Sequence, residues 1–332
     1  MRSLRLLLSE RALKLLSPEI AAVLGDRPYQ LATYEQLTAD GSAPAPFDVS
    51  LAFISRDVTG ASTKFHVSGL CRDCYTLLEQ SLNLDWVHVH SAGADRPIFD
   101  LLKARGVTVT TSNGANAQVV AHTAVGGVLA LARRFPQFMR AQGERRWAPL
   151  QGQPLPRDLD GQTAVVIGWG PIGQKIARYL EVMGLRIIVV RDSDRPAEGA
   201  SHTVPYERVQ DVLPLADWVI LACPLTMKTL SLIDAAKLAA LPRGASLVNV
   251  ARGEVVVQED LVAAVQGGQV GGAFLDVFAT EPLDTASPLW GMPNVMVTPH
   301  AAGHSDGNYR RVADIFLTKL SNWLEADGRS AT

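Results

Sequence analysis

The sequence predicts an α/β protein made of two doubly wound parallel-sheet domains. Short apolar runs alternate with helical patterns in two separate blocks, the order that builds a parallel sheet with helices on both faces. The chain has 332 residues, enough for two domains with cores of their own. The stretch AVVIGWGPIG, residues 164–173, runs an apolar strand into glycines at 168, 170 and 173 with a helical pattern behind them.

In the first block, LRLLL (4–8), VSLAFIS (49–55), WVHVH (86–90) and VTVTT (107–111) read as strands. The opening MRSLRLLLSERALKLL reads as the first of these and then a helix; its three-leucine run between charges is too short for a secretion signal. YTLLEQSL and PIFDLLKARG read as helices, the second ended by Gly106. GSAPAPFD (41–48) reads as a loop. Cys71 and Cys74 form a CxxC. No second pair exists to complete a zinc site, so they read as two small side chains on one helical turn, and no metal is expected.

A long helical pattern runs from about Ala117 to Arg134. Gly126-Gly127 would weaken an exposed helix, which predicts close backbone packing there. His122, among small apolar residues, reads as a satisfied core histidine. WAPLQGQPLPRDLDG (147–161) holds too much proline for regular structure and is either a linker or an arm lying on a partner.

The second block starts at Thr163 with strands TAVVI, RIIVV, WVILA, SLVNV, GGAFLDV and VMVT. Cys223, after WVILA, reads as a buried strand-end thiol. A terminal helix over about 305–325 carries Val312, Phe316, Leu320 and Trp323 as one stripe, which must dock on one of the two sheets.

The glycine loop has the context a dinucleotide fingerprint requires. It follows a strand, and Ile172, Ile176, Leu180 and Met183 then fall at helical spacing, closed by Gly184 before RIIVV. Gly168 permits the turn, Gly170 lets a pyrophosphate approach, and Gly173 lets helix and strand pack closely. Pro171 and Ile172 open the helix whose free N–H groups would face the phosphates. Arg191, Ser193 and Arg195 in VVRDSDRP look like a clamp for the 2′-phosphate of NADP, with Arg191 first among the contacts. If Asp192 faces the ribose, the cofactor is NAD.

Three later segments each end an apolar run on a charged or titratable residue: SLVNVARGEVV on Arg252, GGAFLDVFATEPL on Asp276 and then Glu281, VMVTPHAAG on His300. In a parallel sheet these strand ends share the edge where the glycine loop lies.

Taken together, HVHSAGADRP, TSNGANA, VVIGWGPIG, CPLTMKTLSLI, VNVARG, LDVFATEPL and TPHAAG resemble the D-isomer-specific 2-hydroxyacid dehydrogenase family over nearly the whole chain, in the manner of its glyoxylate/hydroxypyruvate reductases. The resemblance implies a Rossmann-type cofactor domain, 114–298, inserted into a flavodoxin-like substrate domain, 1–113 plus 299–332. It implies Arg252, Glu281 and His300 as the catalytic set for a 2-oxo acid, Asp276 at the nicotinamide carboxamide, and Cys223 and Pro224 at the cofactor. The chemistry agrees: Arg252 can bind the acid's oxygens through its planar fork, His300 can protonate the carbonyl oxygen, and Glu281 can brace the imidazole and favour its charged form. Ala92 and Gly93 would offer backbone amides to the substrate carboxylate, with Ser55 and Arg56 in the same cleft. Members are usually homodimers. A non-catalytic dinucleotide-sensing corepressor shares this fold and is the alternative; the complete set of three favours the enzyme. Formate oxidation is discounted because the members that perform it carry glutamine where this chain has Glu281.

A net charge of −2 gives no electrostatic reason to expect nucleic acid or an anionic membrane as partner. The longest uncharged apolar stretch is too short for a bilayer span, and three cysteines make no disulfide framework. The chain reads as cytoplasmic.

Overall fold

The structure, a computed structural model, describes residues 3–38, 49–60, 62, 66–67, 69–152 and 155–330. The predicted loop 41–48 lies outside them. By internal contacts the chain forms two units, Met1–Asn116 with Ser305–Thr332, and Ala117–His304.

The first unit carries a five-stranded sheet of β1 (Leu4–Leu8), β2 (Tyr29–Thr33), β3 (Leu51–Ile54), β4 (Trp86–Val89) and β5 (Thr108–Thr111). They lie in the order β2-β1-β3-β4-β5, every pair parallel. The terminal helix, Asn308–Ser330, docks on this sheet. Phe316 is fully buried and stacks on Phe53 at 4.2 Å between ring centres, while Leu6, Leu8 and Trp86 share its cluster. Burying one such ring contributes roughly 1.5–3 kcal/mol. The stripe alone does not choose its sheet; the family resemblance puts the helix on this one, and its partners there lie 230 to 310 positions away in the chain.

The second unit carries seven strands: β6 (Thr163–Ile167), β7 (Arg186–Arg191), β8 (His202–Pro205), β9 (Trp218–Leu221), β10 (Ala245–Asn249), β11 (Val270–Leu275) and β12 (Val295–Val297). Their order is β12-β11-β10-β9-β6-β7-β8, again all parallel. The chain builds outward from β6 to β8, then returns to β9 on the other side of β6. The junction of β6 and β9 is therefore the switch point, where such sheets hold ligands. All seven carboxyl ends share that edge.

β2 and β8 were not legible in the sequence. Both are sheet edges, partly exposed along most of their length, so neither shows an apolar run. The helix Ala117–Ala132 corrects two expectations. Close packing is confined to Gly127, where an added Cβ would sit 2.5 Å from the Phe274 ring, whereas Gly126 has open space around it. His122 is exposed and shares hydrogen bonds with Gln118 and Tyr179 instead of entering the core. The small residues beside it pack the helix onto Ile176, Ile220 and Phe274, and position 122 falls on the turn's outer side. Cys71 and Cys74 are fully buried and unbridged at the start of the helix Leu70–Gln80. No regular element occurs among the described residues of 147–161; Trp147 stands almost fully exposed, and Arg157 pairs with Asp217 at 2.6 Å. No helix among the described residues is long and apolar enough to cross a membrane.

The two glycines of the long helix give a paired test. Gly126→Ala is expected to raise the midpoint of thermal unfolding slightly, by up to ~1 kcal/mol of stability. Gly127→Val is expected to lower stability by about 1–3 kcal/mol because Phe274 must move. Equal effects in calorimetric melts would contradict this packing.

Candidate active site

The glycine loop is built as its spacing demands. Gly168 has φ +106°, a backbone region that side chains avoid. A Cβ there would also lie 2.5 Å from the Cys223 nitrogen, so the turn after β6 rests directly against the segment after β9. A Cβ on Gly173 would overlap the Gly168 carbonyl oxygen, which fixes how closely the helix Pro171–Val182 approaches its strand. Gly170 differs: nothing lies within 4 Å of its absent Cβ. The loop therefore leaves open space where a pyrophosphate would meet the backbone, and Pro171 at the first helical position has no N–H to waste. The first-turn N–H groups behind it have no partners inside the helix and suit an anion. These residues fit a dinucleotide.

At the end of β7, Arg191 is half-buried, and Ser193 and Arg195 are exposed. Asp192 is engaged elsewhere, with its Oδ1 accepting a hydrogen bond from Lys228 Nζ at 2.7 Å. Cys223 is buried, and burial pushes its thiol up to about 12, which keeps it protonated; Pro224 follows and its carbonyl accepts from Thr229.

Arg252 follows β10 through a turn made by Asn249. The buried Asn249 side chain accepts from Ala251 N at 3.0 Å and donates to the Arg252 carbonyl at 3.1 Å. Gly253 comes next, and any side chain there would overlap the Phe278 backbone. That contact seats the Arg252 turn against the 278–281 segment.

Asp276, at the end of β11, is 2% exposed. Its Oδ1 accepts from Thr298 Oγ1 at 2.6 Å, Ala301 N at 2.8 Å and Ala302 N at 3.1 Å; Oδ2 shares the Ala302 N–H. Its backbone carbonyl accepts from His300 N at 2.8 Å. The chain after β12 is thereby folded around one carboxylate, and His300 sits in the left-handed region with φ +51°.

His300 Nδ1 lies 2.8 Å from Glu281 Oε2, and Glu281 Oε1 accepts from Phe278 N at 3.1 Å. Both carboxyl oxygens are thus engaged. A carboxylate only accepts, so Nδ1 carries the proton and Nε2 is the nitrogen presented outward. Burial pushes the Glu281 carboxyl up, but the His300 hydrogen bond and charge, the Phe278 N–H and the Arg252 charge together bring it below its ordinary value. Arg252, Glu281 and His300 therefore act on one another, although β10, β11 and β12 deliver them separately.

In the first unit, Ser55 and Arg56 follow β3 and the Ala92-Gly93 pair follows β4, its neighbour, so the four share one edge. Ser55 is buried with its hydroxyl 3.1 Å from Ser9 Oγ, and Arg56 is exposed. Ser91 Oγ donates to the Gly93 carbonyl at 2.6 Å and shapes the loop. Asn249, Gly253, Thr298 and Lys228 were missed in the sequence. All four lie inside the motifs that carry the family resemblance, but only the folded contacts show what they hold.

The model of the D-isomer specific 2-hydroxyacid dehydrogenase NAD binding domain matches residues 125–302. A glyoxylate/hydroxypyruvate reductase of Arabidopsis thaliana is 30% identical over 81% of this chain and 82% of its own. A glyoxylate reductase of Korarchaeum cryptofilum is 33% identical over 74% of each. Among solved structures, an NADPH-dependent glyoxylate/hydroxypyruvate reductase of Sinorhizobium meliloti, in complex with NADP and malonate, superposes with TM-score 0.73 at 30% identity, covering 97% of this chain and 93% of that one. With the glycine loop, the parallel order and the Glu281–His300 pair in place, the chain belongs to the D-isomer-specific 2-hydroxyacid dehydrogenase family.

Proposed function

We propose that the chain reduces small 2-oxo acids, of the glyoxylate and hydroxypyruvate kind, to D-2-hydroxy acids with NADPH, and runs the reverse reaction. The observation that carries this is the 2.8 Å bond between His300 Nδ1 and Glu281 Oε2 beside Arg252. Gly168, Gly170, Pro171, Ile172 and Gly173 would hold the pyrophosphate, and Cys223 and Pro224 would flank it. Arg191, Ser193 and Arg195 would meet the 2′-phosphate. Asp276 Oδ2, which shares only one N–H, has acceptor capacity left for a carboxamide. When bound, the reduced nicotinamide supplies the hydride.

The chain's own residues do the rest. Arg252 pairs with the substrate carboxylate and stabilises negative charge growing on the carbonyl oxygen. His300 donates its Nε2 proton to that oxygen and is left as the Nδ1–H tautomer held by Glu281; in the reverse direction Nε2 takes the proton back. Ala92 and Gly93 would offer amides to the carboxylate, with Arg56 and Ser55 nearby in their unit. Exposed Phe135, Met139, Trp147 and Leu155 favour a homodimer built through that segment.

The test is NADPH oxidation with a panel of glyoxylate, hydroxypyruvate, phenylpyruvate and 2-ketogluconate, repeated with NADH. Turnover of the two small acids is expected; tight cofactor binding with no turnover of any would favour the sensing alternative. His300→Ala is expected to lower kcat by ~10²–10⁴-fold while NADPH affinity holds; an equal loss of both would refute its role. Arg191→Ala should weaken NADPH by roughly 10- to 100-fold and NADH little.

Glu281 gives a pH dependence of stability. Its folded carboxyl lies below the ordinary 4.5, so it contributes stability above that value, lost as pH falls through the folded value. Glu281→Gln should therefore destabilise at neutral pH, and the gap from the native chain should close in denaturant titrations as pH falls through the folded value of Glu281. A gap that persists in acid would show that the ionic pairing is not what holds the segment.

A further inference from the structure

Lys228 lies in the segment after β9 and takes no part in the assignments above. Its Nζ is 2.7 Å from Asp192 Oδ1 and 3.1 Å from Glu207 Oε1. Asp192 directly follows β7, and Glu207 sits in the turn Tyr206–Asp211 that follows β8. β7 and β9 pair with β6 on its opposite sides. The lysine thus ties the segment after β9, on one side of β6 in the strand order, to the chain that leaves β7 and β8 on the other. Tyr206 belongs to the same neighbourhood: burial raises its phenol above the ordinary value, Cys223 and Asp192 raise it further, and Arg191 pulls it back.

The chemistry of this corner follows from donor counting. A lysine ammonium has three N–H donors and no acceptor. Two are directed at Asp192 and Glu207, leaving one. The guanidinium of Arg191 has no hydrogen bond or ion pair among the described residues. The Lys228 ammonium on Asp192 Oδ1 offsets a charge that would otherwise repel a 2′-phosphate, while Oδ2 keeps its acceptor capacity. A 2′-phosphate would need cations, and two stand at the end of β7. We propose that Lys228 favours NADPH over NADH: it offsets the Asp192 charge, which would otherwise repel the phosphate, and turns its remaining donor to the 2′-phosphate beside Arg191. This rests on the assignment of NADPH as cofactor.

The experiment uses the full chain and two measurements. One is the ratio of kcat/KM for NADPH to that for NADH; the other is calorimetric affinity for 2′,5′-ADP against 5′-AMP, which needs no turnover. Lys228→Met should lower the kinetic ratio and the preference for 2′,5′-ADP by roughly 10-fold or more, and Lys228→Arg should retain most of both. Asp192→Asn added to Lys228→Met should restore part of the preference, because the unmasked carboxylate no longer repels the phosphate. Both measures unchanged in Lys228→Met, while Arg191→Ala lowers them, would overturn the role of Lys228 and leave the NADPH assignment standing. A native chain that prefers NADH would overturn the assignment; Lys228→Met shifting it further toward NADH would still support the phosphate contact, and no shift would overturn both.

Discussion

Asp276 accepts Thr298 Oγ1 and the N–H groups of Ala301 and Ala302 on a carboxylate that is almost fully buried, while its own backbone receives the His300 N–H. β12 is only three residues long and a sheet edge, so strand pairing alone would hold the segment after it weakly. The carboxylate supplies the missing constraint. It converts a loose exit from the sheet into a fixed bend with His300 in the left-handed region, a conformation that persists only where the surroundings over-determine it. From that bend the imidazole reaches Glu281, and through Glu281 the environment of Arg252.

The same logic recurs along the edge. Asn249 ties the Arg252 turn with two hydrogen bonds, Gly253 lets that turn lie on the Phe278 backbone, and Gly168 lets the glycine loop lie on Ala222 and Cys223. Each is a short polar side chain or an absent one that fixes how one strand exit lies on its neighbour. Parallel order makes this economical, since every strand delivers its last residue to one line. Precision then comes from side chains on neighbouring strands holding each other's exits, with few long loops to order.

Charge at the end of β7 shows how a local motif acquires its meaning from a distant residue. Within VVRDSDRP the two arginines and Asp192 point to different cofactors. Lys228, 36 positions later, is bonded to Asp192 and so changes what the acidic residue can do. His122 shows the converse, because its small apolar neighbours suggested a core position that helix phase did not grant.

Strand runs, helix stripes, the glycine spacing and the residues that end strands were all legible in the amino-acid order, because periodicity and turn chemistry are local. So was the pairing of Glu281 with His300, through motifs that keep their order along the chain. Edge strands β2 and β8, the clamp of Asp276 on the 298–302 segment and the pairing of Asp192 with Lys228 were decided only by tertiary structure. Each of these depends on partners far apart in sequence. No local pattern specifies which buried acceptor a given N–H will find, because that choice is settled by which arrangement leaves the fewest polar groups unpaired when the strands come together.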